Sequence, residues 1–463
     1  MGNGTLDFRD RDALFRSVDG GQFDIIVIGG GSGGSAVAGR LSEDPSLSVC
    51  LLEAGGDNKK VTVTTPGLMP FIGEKSNWRY ETVPQPGLNG RTGYQPRGKG
   101  MGGSSAINGM VYIRGNAWDY DNWAALGCTG WGWDDVLPVF KRQECNAGRA
   151  DAWHGKGGPL HVSDQIAPSP VGEAFVEAAT RLQLPRNDDF NGARQEGFGL
   201  YQVTQHNGER WSAARAFIDP LAGHKNLSVR TGALVEKIVV EHGRATGVTI
   251  RVGGTSETLK ARGGVVLSAG AFGSPQVLML SGIGPAAHLN ELGIRVQADL
   301  PGVGANLIEH PRMMLQYAAN APVTYINQLR FDRAALSALR WALLGSGPFA
   351  TQITSGTVLL KTRPELDRPD VQLLCNPVRL DAGLWFPGIV RPKAHSFYIT
   401  VCLLHQASRG RVSLRSAHAA DAPRIALNLF SDDRDLAAMR EAVRAARRIY
   451  AQPPIADLIA AEA

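Results

Sequence analysis

Residues 24–34 read DIIVIGGGSGG, an apolar run that leads directly into a glycine-rich turn. The run Ile25–Ile28 is typical of a strand that is buried on both faces of a parallel sheet. Gly29, Gly31 and Gly34 then follow in the spacing GxGxxG. In dinucleotide-binding folds the first glycine permits a tight turn, the second lets the backbone approach a pyrophosphate, and the third lets a helix lie close to the strand. The stretch therefore predicts a strand–turn–helix unit that binds a dinucleotide.

The residues after the turn complete a βαβ unit. A helix is predicted through Ala36–Leu41, and its N-terminal amides, beginning near Ser32, favour an anion. A second strand, Leu47–Leu52, delivers Glu53 and Ala54 to the same end of the sheet. Glu53 comes about 20 residues after the glycines, where a carboxylate meets the ribose hydroxyls of a dinucleotide. The unit does not separate NAD from FAD, so an NAD-dependent dehydrogenase stays open here, as does a glycine-rich turn without a ligand.

The length and composition of the chain are those of a folded enzyme. At 463 residues it exceeds what one hydrophobic core usually holds, so two domains are expected. Hydrophobic residues make up 43% and charged residues 20%, both ordinary for a globular protein. The net charge of +5 is small and no block of Lys and Arg is present, which argues against nucleic acid as a partner.

Several features bear on where the protein works. The five cysteines form neither a CxxC pair nor a metal-ligand spacing, so we predict no metal site and a reducing compartment. Residues 1–24 contain no export signal, and no run is long enough to span a membrane. Arg444, Arg447 and Arg448, on a helix predicted at about 432–451, are expected to form a solvated face, with contact to a membrane surface as the alternative. The expected location is the cytoplasm, or peripheral attachment to the cytoplasmic face of the membrane.

A second glycine-rich segment, residues 98–110, reads GKGMGGSSAINGM. Gly103 and Ser104 lie in a run of small residues whose backbone amides can approach a flat ring or a diphosphate closely. Asn108 both donates and accepts hydrogen bonds, which matches the mixed polar edge of a flavin. Together the two glycine-rich segments predict FAD, held for the oxidation of an alcohol.

A third strand and turn contribute to the same predicted site. The strand Val265–Leu267 closes a series of short strands and runs into a turn that contains Ala269, which we expect at the cofactor. Ser274 and Pro275 are predicted as the N-cap and first residue of a helix that ends at Gly282.

Four segments resemble signatures of the glucose-methanol-choline (GMC) oxidoreductases. They occur in the family's order and extend over essentially the whole chain, which makes the resemblance specific. It is closest to the branch that contains choline dehydrogenases and aliphatic-alcohol dehydrogenases. The four segments are Gly98–Asn108, Gly270–Gly284, Gly302–Pro311 and Ser408–Leu414.

The resemblance implies further members of the cofactor site. It places Val235 beside the adenine of FAD. It also implies that FAD is held noncovalently, because Ile107 stands where some members carry a histidine that links the flavin. For Met110 and Val111, packing in the hydrophobic core is the alternative. The residues that the resemblance places along the flavin are Gly100, Asn108, Gly109, Met110 and Val111.

The catalytic residues are not assigned by this sequence. In the family, a histidine in a His-Pro-containing segment near the C-terminus handles the proton of the substrate hydroxyl, and a second histidine or an asparagine follows it. Neither segment is found here, and His395 and His405 are only remote substitutes. We therefore expect a truncated chain of impaired activity that also lacks the last strand and helix of the FAD-binding domain.

The predicted fold class is α/β, with a second domain of α+β type. A Rossmann-like FAD-binding domain carries a parallel sheet, and a substrate domain is built on an antiparallel sheet. Alternating apolar residues at Val371–Leu374 and Ser396–Leu404 indicate strands of that second sheet. The expected boundaries are residues 1–154 and 213–314 for the FAD-binding domain, and residues 155–212 and 315–463 for the substrate domain.

The resemblance implies oxidation of a primary alcohol, choline or an aliphatic alcohol, to the aldehyde. A base takes the hydroxyl proton while the hydride of the α-carbon passes to flavin N5, and the electrons then leave to a quinone, oxygen or another carrier. Choline would require an aromatic cage with a carboxylate for its quaternary ammonium group, and no such cage is evident, so an uncharged primary alcohol is an equal alternative. The remaining alternative is a catalytically impaired flavin-binding fragment of such an enzyme.

Overall fold

The computed structural model describes residues 21–379 and 381–463. Two six-stranded sheets organise these residues, and α-helices and short strand pairs connect them. In chain order, the strands of the two sheets are β1 (Gln22–Ile28), β2 (Val49–Leu52), β3 (Gly197–Leu200), β4 (Leu227–Arg230), β5 (Leu234–Glu241), β6 (Arg244–Val252), β7 (Thr255–Leu267), β8 (Arg312–Ala319), β9 (Gly356–Leu360), β10 (Val371–Asn376), β11 (Ser396–Leu403) and β12 (Ile459–Glu462). The helices are α1 (Ser32–Leu41), α2 (Val61–Thr64), α3 (Ala117–Ala125), α4 (Trp133–Gln143), α5 (Pro170–Ala179), α6 (Ala213–Phe217), α7 (Gly270–Leu280), α8 (Ala286–Glu291), α9 (Phe331–Leu344) and α10 (Asp433–Tyr450).

The first sheet has the order β4–β2–β1–β7–β6–β5. β4, β2, β1 and the second half of β7 run parallel, whereas β5, β6 and the first half of β7 form an antiparallel meander. Lys260 marks the change, because it pairs with Gln22 of β1 and with Gly247 of β6. The predicted strand Val265–Leu267 is therefore the parallel end of a strand of 13 residues.

The parallel strands of this sheet are buried on both faces. Val27 and Leu51 pack with α1 and α6 on one face, while Ile26 and Cys50 pack with β5, β6 and α7 on the other. All four side chains are fully buried. This explains why β1 is a continuous apolar run instead of an alternating one, and it confirms the predicted Rossmann-like sheet.

The second sheet is antiparallel throughout, in the order β12–β8–β11–β10–β9–β3. In β11 the buried side chains alternate with half-buried ones, as a strand that packs a single face against a core requires. Phe397 and Val401 of β11 share a core with Phe175 of α5 and Ala446 of α10. The predicted antiparallel sheet is thus confirmed.

The start of α7 differs from the prediction. The helix begins at Gly270, four residues before the expected N-cap Ser274, and Pro275 lies inside it. Phe272 and Met279 are both buried against neighbouring elements, so burial of the first turn outweighs the local preference of proline for a helix start. Gly282 follows the last turn with φ of +82°, as predicted.

A hairpin from the end of the chain lies against the first sheet's layer. Its strands, Arg411–Ser413 and Arg424–Ala426, place Val412 and Ile425 in one cluster with Phe272 of α7. The expected boundary at residue 315 assigns this hairpin to the substrate domain. The sequence of a short hairpin does not indicate which of two hydrophobic cores it joins. The sequence therefore offered no reason to separate this hairpin from the substrate domain.

A buried network of charged side chains follows α4. Arg114 donates from Nη2 to Glu144 Oε2 over 2.6 Å, and His154 Nδ1 lies 3.1 Å from Glu144 Oε1. The other ring nitrogen of His154, Nε2, lies 2.9 Å from Asp189 Oδ2. The side chains of Arg114, Glu144 and His154 are at most 1% exposed, so this network is a structural tie between distant loops.

The basic cluster on α10 forms ion pairs at the surface. Arg447 pairs with Glu462 of β12 over 2.6 Å, and Arg444 pairs with Glu441 one turn earlier. These arginines thus face solvent in local ion pairs. Among the residues that the structure covers, no helix is both long and apolar enough to cross a membrane.

Candidate cofactor site

A cavity of about 490 Å³ opens at the carboxyl ends of β1, β2 and β7. This is the edge of a parallel sheet at which α/β proteins bind nucleotides, and the volume is within the range of ligand pockets. The cavity is lined by Ile28, Gly29, Gly31, Ser32, Gly33, Leu52, Glu53, Ala54, Trp78, Tyr80, Arg97, Gly98, Lys99, Gly103, Ser104, Ala233, Leu234, Val235, Ser268, Ala269, Gly270, Ala271, Phe272, Gly273, Gln276, Val277, Leu280 and Ala419–Ala422.

The turn between β1 and α1 has the geometry that its glycines predict. Gly29 has φ of +97°, and a Cβ at Gly34 would lie 1.8 Å from the carbonyl oxygen of Gly29. A Cβ at Gly31 would instead lie 3.8 Å from its nearest neighbour, the Cα of Gly103, which lines the cavity. The first turn of α1 contains no acidic side chain, so its free backbone N–H groups are available to an anion. The turn therefore fits a diphosphate.

Glu53 connects the two glycine-rich segments. Its Oε2 accepts a hydrogen bond from Gly30 N over 2.9 Å, while Oε1 accepts from Gly55 N and Gly100 N, each over 2.8 Å. A carboxylate has about four acceptor positions, so one remains for a hydroxyl group of a ligand. Glu53 is nearly buried and lines the cavity, which suits it to both roles.

The substitution Glu53→Gln tests this double role. A glutamine side chain would direct an NH₂ group at one or more backbone N–H groups and leave them unpaired. Each unpaired buried N–H group costs about 1–3 kcal/mol of free energy. We expect the affinity of the apoprotein for FAD to fall by about tenfold or more, measured by titration with FAD. Glu43→Gln is the matched control, because Glu43 pairs with Arg40 at an exposed position. Equal affinity of the Glu53 and Glu43 variants would contradict the role of Glu53.

The two glycine-rich segments begin at Gly29 and Gly98, 69 residues apart in the sequence, but they are in contact in the structure. Gly102 N donates to Gly30 O over 2.8 Å, and a Cβ at Gly103 would lie 2.6 Å from Gly31 Cα. Gly103 has φ of +51° and begins a short 3₁₀-helix that ends at Ala106. The close approach explains why this loop needs glycine, and it brings Ser104 to the same cavity as the β1–α1 turn.

Asn108 is held by its carbonyl oxygen. Its Oδ1 accepts from Met110 N over 3.1 Å and from Arg210 Nη1 over 2.9 Å. Both partners can only donate, so the side-chain amide is oriented with its oxygen inward. Among the described residues no acceptor pairs with the NH₂ group of this exposed side chain, which leaves two donors available.

The structure brings together most of the residues that the sequence predicted for the cofactor. Gly34 and Gly100 lie behind the cavity wall, in backbone contacts that shape it. Met110 is fully buried in a cluster with Tyr201 and Val203, and Val111 packs beside it, as the core-packing alternative predicts. Asn108 and Gly109 lie in the same loop outside the cavity lining. The predicted residues that line the cavity are Gly29, Gly31, Ser32, Glu53, Ala54, Gly103, Ser104, Val235 and Ala269.

Two cations, Lys99 and Arg97, and two aromatic rings, those of Tyr80 and Phe272, were missed at the cavity. Lys99 Nζ lies 4.5 Å from the ring centre of Trp78, which stacks on Tyr80, and the Arg97 guanidinium lies 4.5 Å from the ring centre of Phe272. Arg97 is already paired with Glu309, so Lys99 is the cation that suits an anionic ligand such as a diphosphate. Lys99 stands inside the second glycine-rich segment, which was the one available signal for it.

The remote histidine candidates lie elsewhere. His395 Nδ1 is 2.7 Å from Thr324 Oγ1, and Arg368 donates to His405 Nε2 over 3.0 Å. Burial lowers the pKa of both histidines, and for His405 the adjacent Arg368 lowers it further. Of the described residues that line the cavity, none is a histidine, so no proton acceptor for catalysis is assigned.

Comparison with known proteins extends over nearly the whole chain. The N-terminal and C-terminal models of the GMC oxidoreductase family match residues 23–312 and 406–463. The expected loss of the C-terminal part is thus not confirmed, since a match to that domain is present. The oxygen-dependent choline dehydrogenase of Rhizobium etli (strain CIAT 652) is 42% identical over 433 residues, which cover 93% of this chain and 78% of that protein.

Solved structures show the same fold. Pyridoxine 4-oxidase from Mesorbium loti superposes with a TM-score of 0.83 at 30% identity, covering 95% of this chain and 83% of that one. An FAD-dependent oxidoreductase from Chaetomium thermophilum superposes with a TM-score of 0.84 at 26% identity, covering 95% and 84%.

Proposed function

This chain belongs to the GMC oxidoreductase family, and from that premise we propose that it oxidises a primary alcohol, choline or an aliphatic alcohol, to the aldehyde. It is an FAD-dependent oxidoreductase that acts on CH–OH groups. The observation that carries the proposal is the contact between the two glycine-rich segments, with Glu53 bonded to both. FAD, when bound there, supplies an acceptor for the hydride of the α-carbon.

The residues present fit FAD. The turn from Gly29 to Gly34 would hold the diphosphate at the N-terminus of α1, and Glu53 would accept a bond from a ribose hydroxyl. Val235 would contact the adenine, and Ala269 would lie against the cofactor. The residues that would lie along the flavin are Gly103, Ser104, Asn108 and Gly109. The flavin would be bound noncovalently, because Ile107 cannot form a covalent link to it.

The substrate is proposed as a class of two members. A quaternary ammonium group needs free aromatic faces and a carboxylate. In the sequence no such aromatic cage is evident, so an uncharged primary alcohol is proposed beside choline.

The domain division stays a proposal as well. Residues 1–154 and 213–314 would form the FAD-binding domain, and residues 155–212 and 315–463 the substrate domain, apart from the hairpin that packs on α7.

If a quinone accepts the electrons, the enzyme would meet it at a membrane surface. Co-sedimentation with lipid vesicles tests that contact.

Anaerobic addition of alcohol to the purified yellow protein tests the function. We expect choline or a primary aliphatic alcohol to bleach the visible flavin absorbance, because hydride transfer reduces the cofactor. A tertiary alcohol is the matched control, since it has no α-hydrogen to give. Reoxidation by oxygen or by a soluble quinone then identifies the electron acceptor. A flavin spectrum that no primary alcohol changes would favour a flavin-binding protein without this activity.

A further inference from the structure

Arg210 is a buried cation that pairs with no carboxylate of the described residues. It is 2% exposed, and its Nε donates to Val63 O over 2.9 Å. Its Nη1 donates to Asn108 O over 2.7 Å, to Asn108 Oδ1 over 2.9 Å and to Ser105 O over 3.2 Å. Its Nη2 is buried without a partner. Every acceptor is a neutral carbonyl oxygen, so the positive charge is solvated by dipoles alone.

The second deeply buried arginine of the described chain shows the usual solution. The side chain of Arg114 is only 1% exposed, and it pairs with Glu144 over 2.6 Å. An unpaired buried charge is strongly unfavourable, and proteins normally place a counter-ion beside it. Burial lowers the pKa of Arg210 to about 10, which still leaves the guanidinium charged at neutral pH. An uncompensated charge at this position therefore calls for a role.

The role is indicated by what Arg210 holds. Three of its four hydrogen bonds go to the loop that carries Ser105 and Asn108, next to the cavity. Its bond to Asn108 Oδ1 turns the NH₂ group of that side chain away from the protein interior. A second tie lies three residues later, where Ala213 N donates to Ser105 Oγ over 2.9 Å. Arg210 thus backs the wall of the loop that the proposed function assigns to the flavin.

We propose that Arg210 is the positioning and charge-balancing residue of the cofactor site. It fixes the amide of Asn108 with its donors outward, and it supplies the positive charge that favours the reduced, anionic form of FAD. The inference rests on the proposed function. Hydride transfer brings two electrons and one proton, while the hydroxyl proton leaves to a base, so a neutral acceptor gains one negative charge. A fixed cation in a site of low polarity stabilises that charge.

The test compares two substitutions that each keep a hydrogen-bond donor for Asn108. Arg210→Lys keeps the charge and Arg210→Gln removes it. We expect the equilibrium constant for two-electron reduction of the bound flavin to fall at least tenfold in the glutamine variant, about 30 mV in potential. The lysine variant should stay within about threefold of the wild type. Arg215→Gln is the matched control, because Arg215 pairs with Glu209 and is partly exposed.

The outcomes separate a charge effect from a structural one. An equal fall of the reduction equilibrium constant in the lysine and glutamine variants would mean that only the hydrogen-bond geometry of the guanidinium matters. Unchanged potentials in both variants would mean that the charge of Arg210 does not affect the flavin. Either result overturns the charge-balancing role of Arg210, and the first would still support its positioning of Asn108. Protein that binds no FAD at all would instead overturn the proposed function, with the inference about Arg210.

A measurement on the wild-type enzyme guards against variants that do not fold. If the reduced cofactor is held as an anion, its potential should change by about 30 mV per pH unit down to about pH 6, the value for two electrons and one proton. A slope of about 60 mV per pH unit would show uptake of a second proton and would contradict the proposal.

Discussion

Gly34→Ala is expected to abolish FAD binding and to lower the free energy of unfolding by about 3 kcal/mol or more. The added methyl group would lie 1.8 Å from the carbonyl oxygen of Gly29 and 3.1 Å from its carbon. Both atoms belong to the backbone, so no side chain can move aside. Relief requires α1 to move away from β1, and this displaces the N–H groups that would hold the diphosphate.

Gly33→Ala is the control for the stability of the apoprotein alone, because Gly33 also lines the cavity. A Cβ at Gly33 meets nothing within 4 Å, and Gly33 lies in the same turn of α1. The apoprotein should unfold at the same denaturant concentration or gain about 0.5–1 kcal/mol, because alanine favours a helix over glycine. Unfolding of the apoprotein and the FAD content of the purified protein give the two readouts. A Gly34→Ala protein with normal FAD content and stability would show that the turn is more adaptable than its geometry indicates.

Glu144→Gln is expected to destabilise the protein by about 3–5 kcal/mol, the usual effect of removing one partner of a buried ion pair. The substitution leaves the Arg114 guanidinium buried without a counter-ion, and it removes one of two carboxylates from His154. Asp188→Asn provides the comparison, because Asp188 pairs with Arg186 at an exposed position and should contribute at most about 1 kcal/mol. Denaturant unfolding of the three proteins measures both effects, and similar losses in both variants would contradict the structural role of the network.

The same network predicts a pH dependence of stability. Burial lowers the pKa of His154, but hydrogen bonds to Asp189 and Glu144 outweigh it and raise the pKa to about 9 from 6.5. The folded protein therefore binds this proton more tightly than the unfolded chain. The resulting stabilisation is complete below about pH 6.5 and is lost as the pH rises through about 9.

The carboxylates of the network do not alter that window. Burial, the largest single cause, raises the pKa values of Glu144 and Asp189, but their hydrogen bonds to His154 and to backbone N–H groups, together with nearby positive charges, outweigh it and lower both pKa values. Their contributions are lost only in acid. His154→Gln should flatten the fall in the free energy of unfolding between about pH 6.5 and pH 9. An equally steep fall in that variant would assign the pH dependence to other groups.

Short-range patterns predicted the β1–α1 turn and the place of Glu53 after β2. The β1–α1 turn follows from the spacing of Gly29, Gly31 and Gly34, and Glu53 follows from the length of one helix and one strand. The predicted start of α7 was wrong by five residues, because burial of Phe272 outweighed the helix signal of Ser274 and Pro275. Lys99 was not singled out, since a single lysine beside glycines has no distinctive spacing.

By itself the sequence determined the two sheets, the class of cofactor and the turn that would hold a diphosphate. The strands and the turn depend on residues a few positions apart, whose backbone angles and side-chain directions are set locally. The class of cofactor instead came from two segments taken together and from their resemblance to a family. Tertiary structure alone decided that Gly102 bonds to Gly30 and that Arg210 reaches Asn108, 102 residues away in the chain. Such contacts arise from the packing of whole helices, strands and loops. No local sequence pattern indicates that an arginine will be buried without a counter-ion.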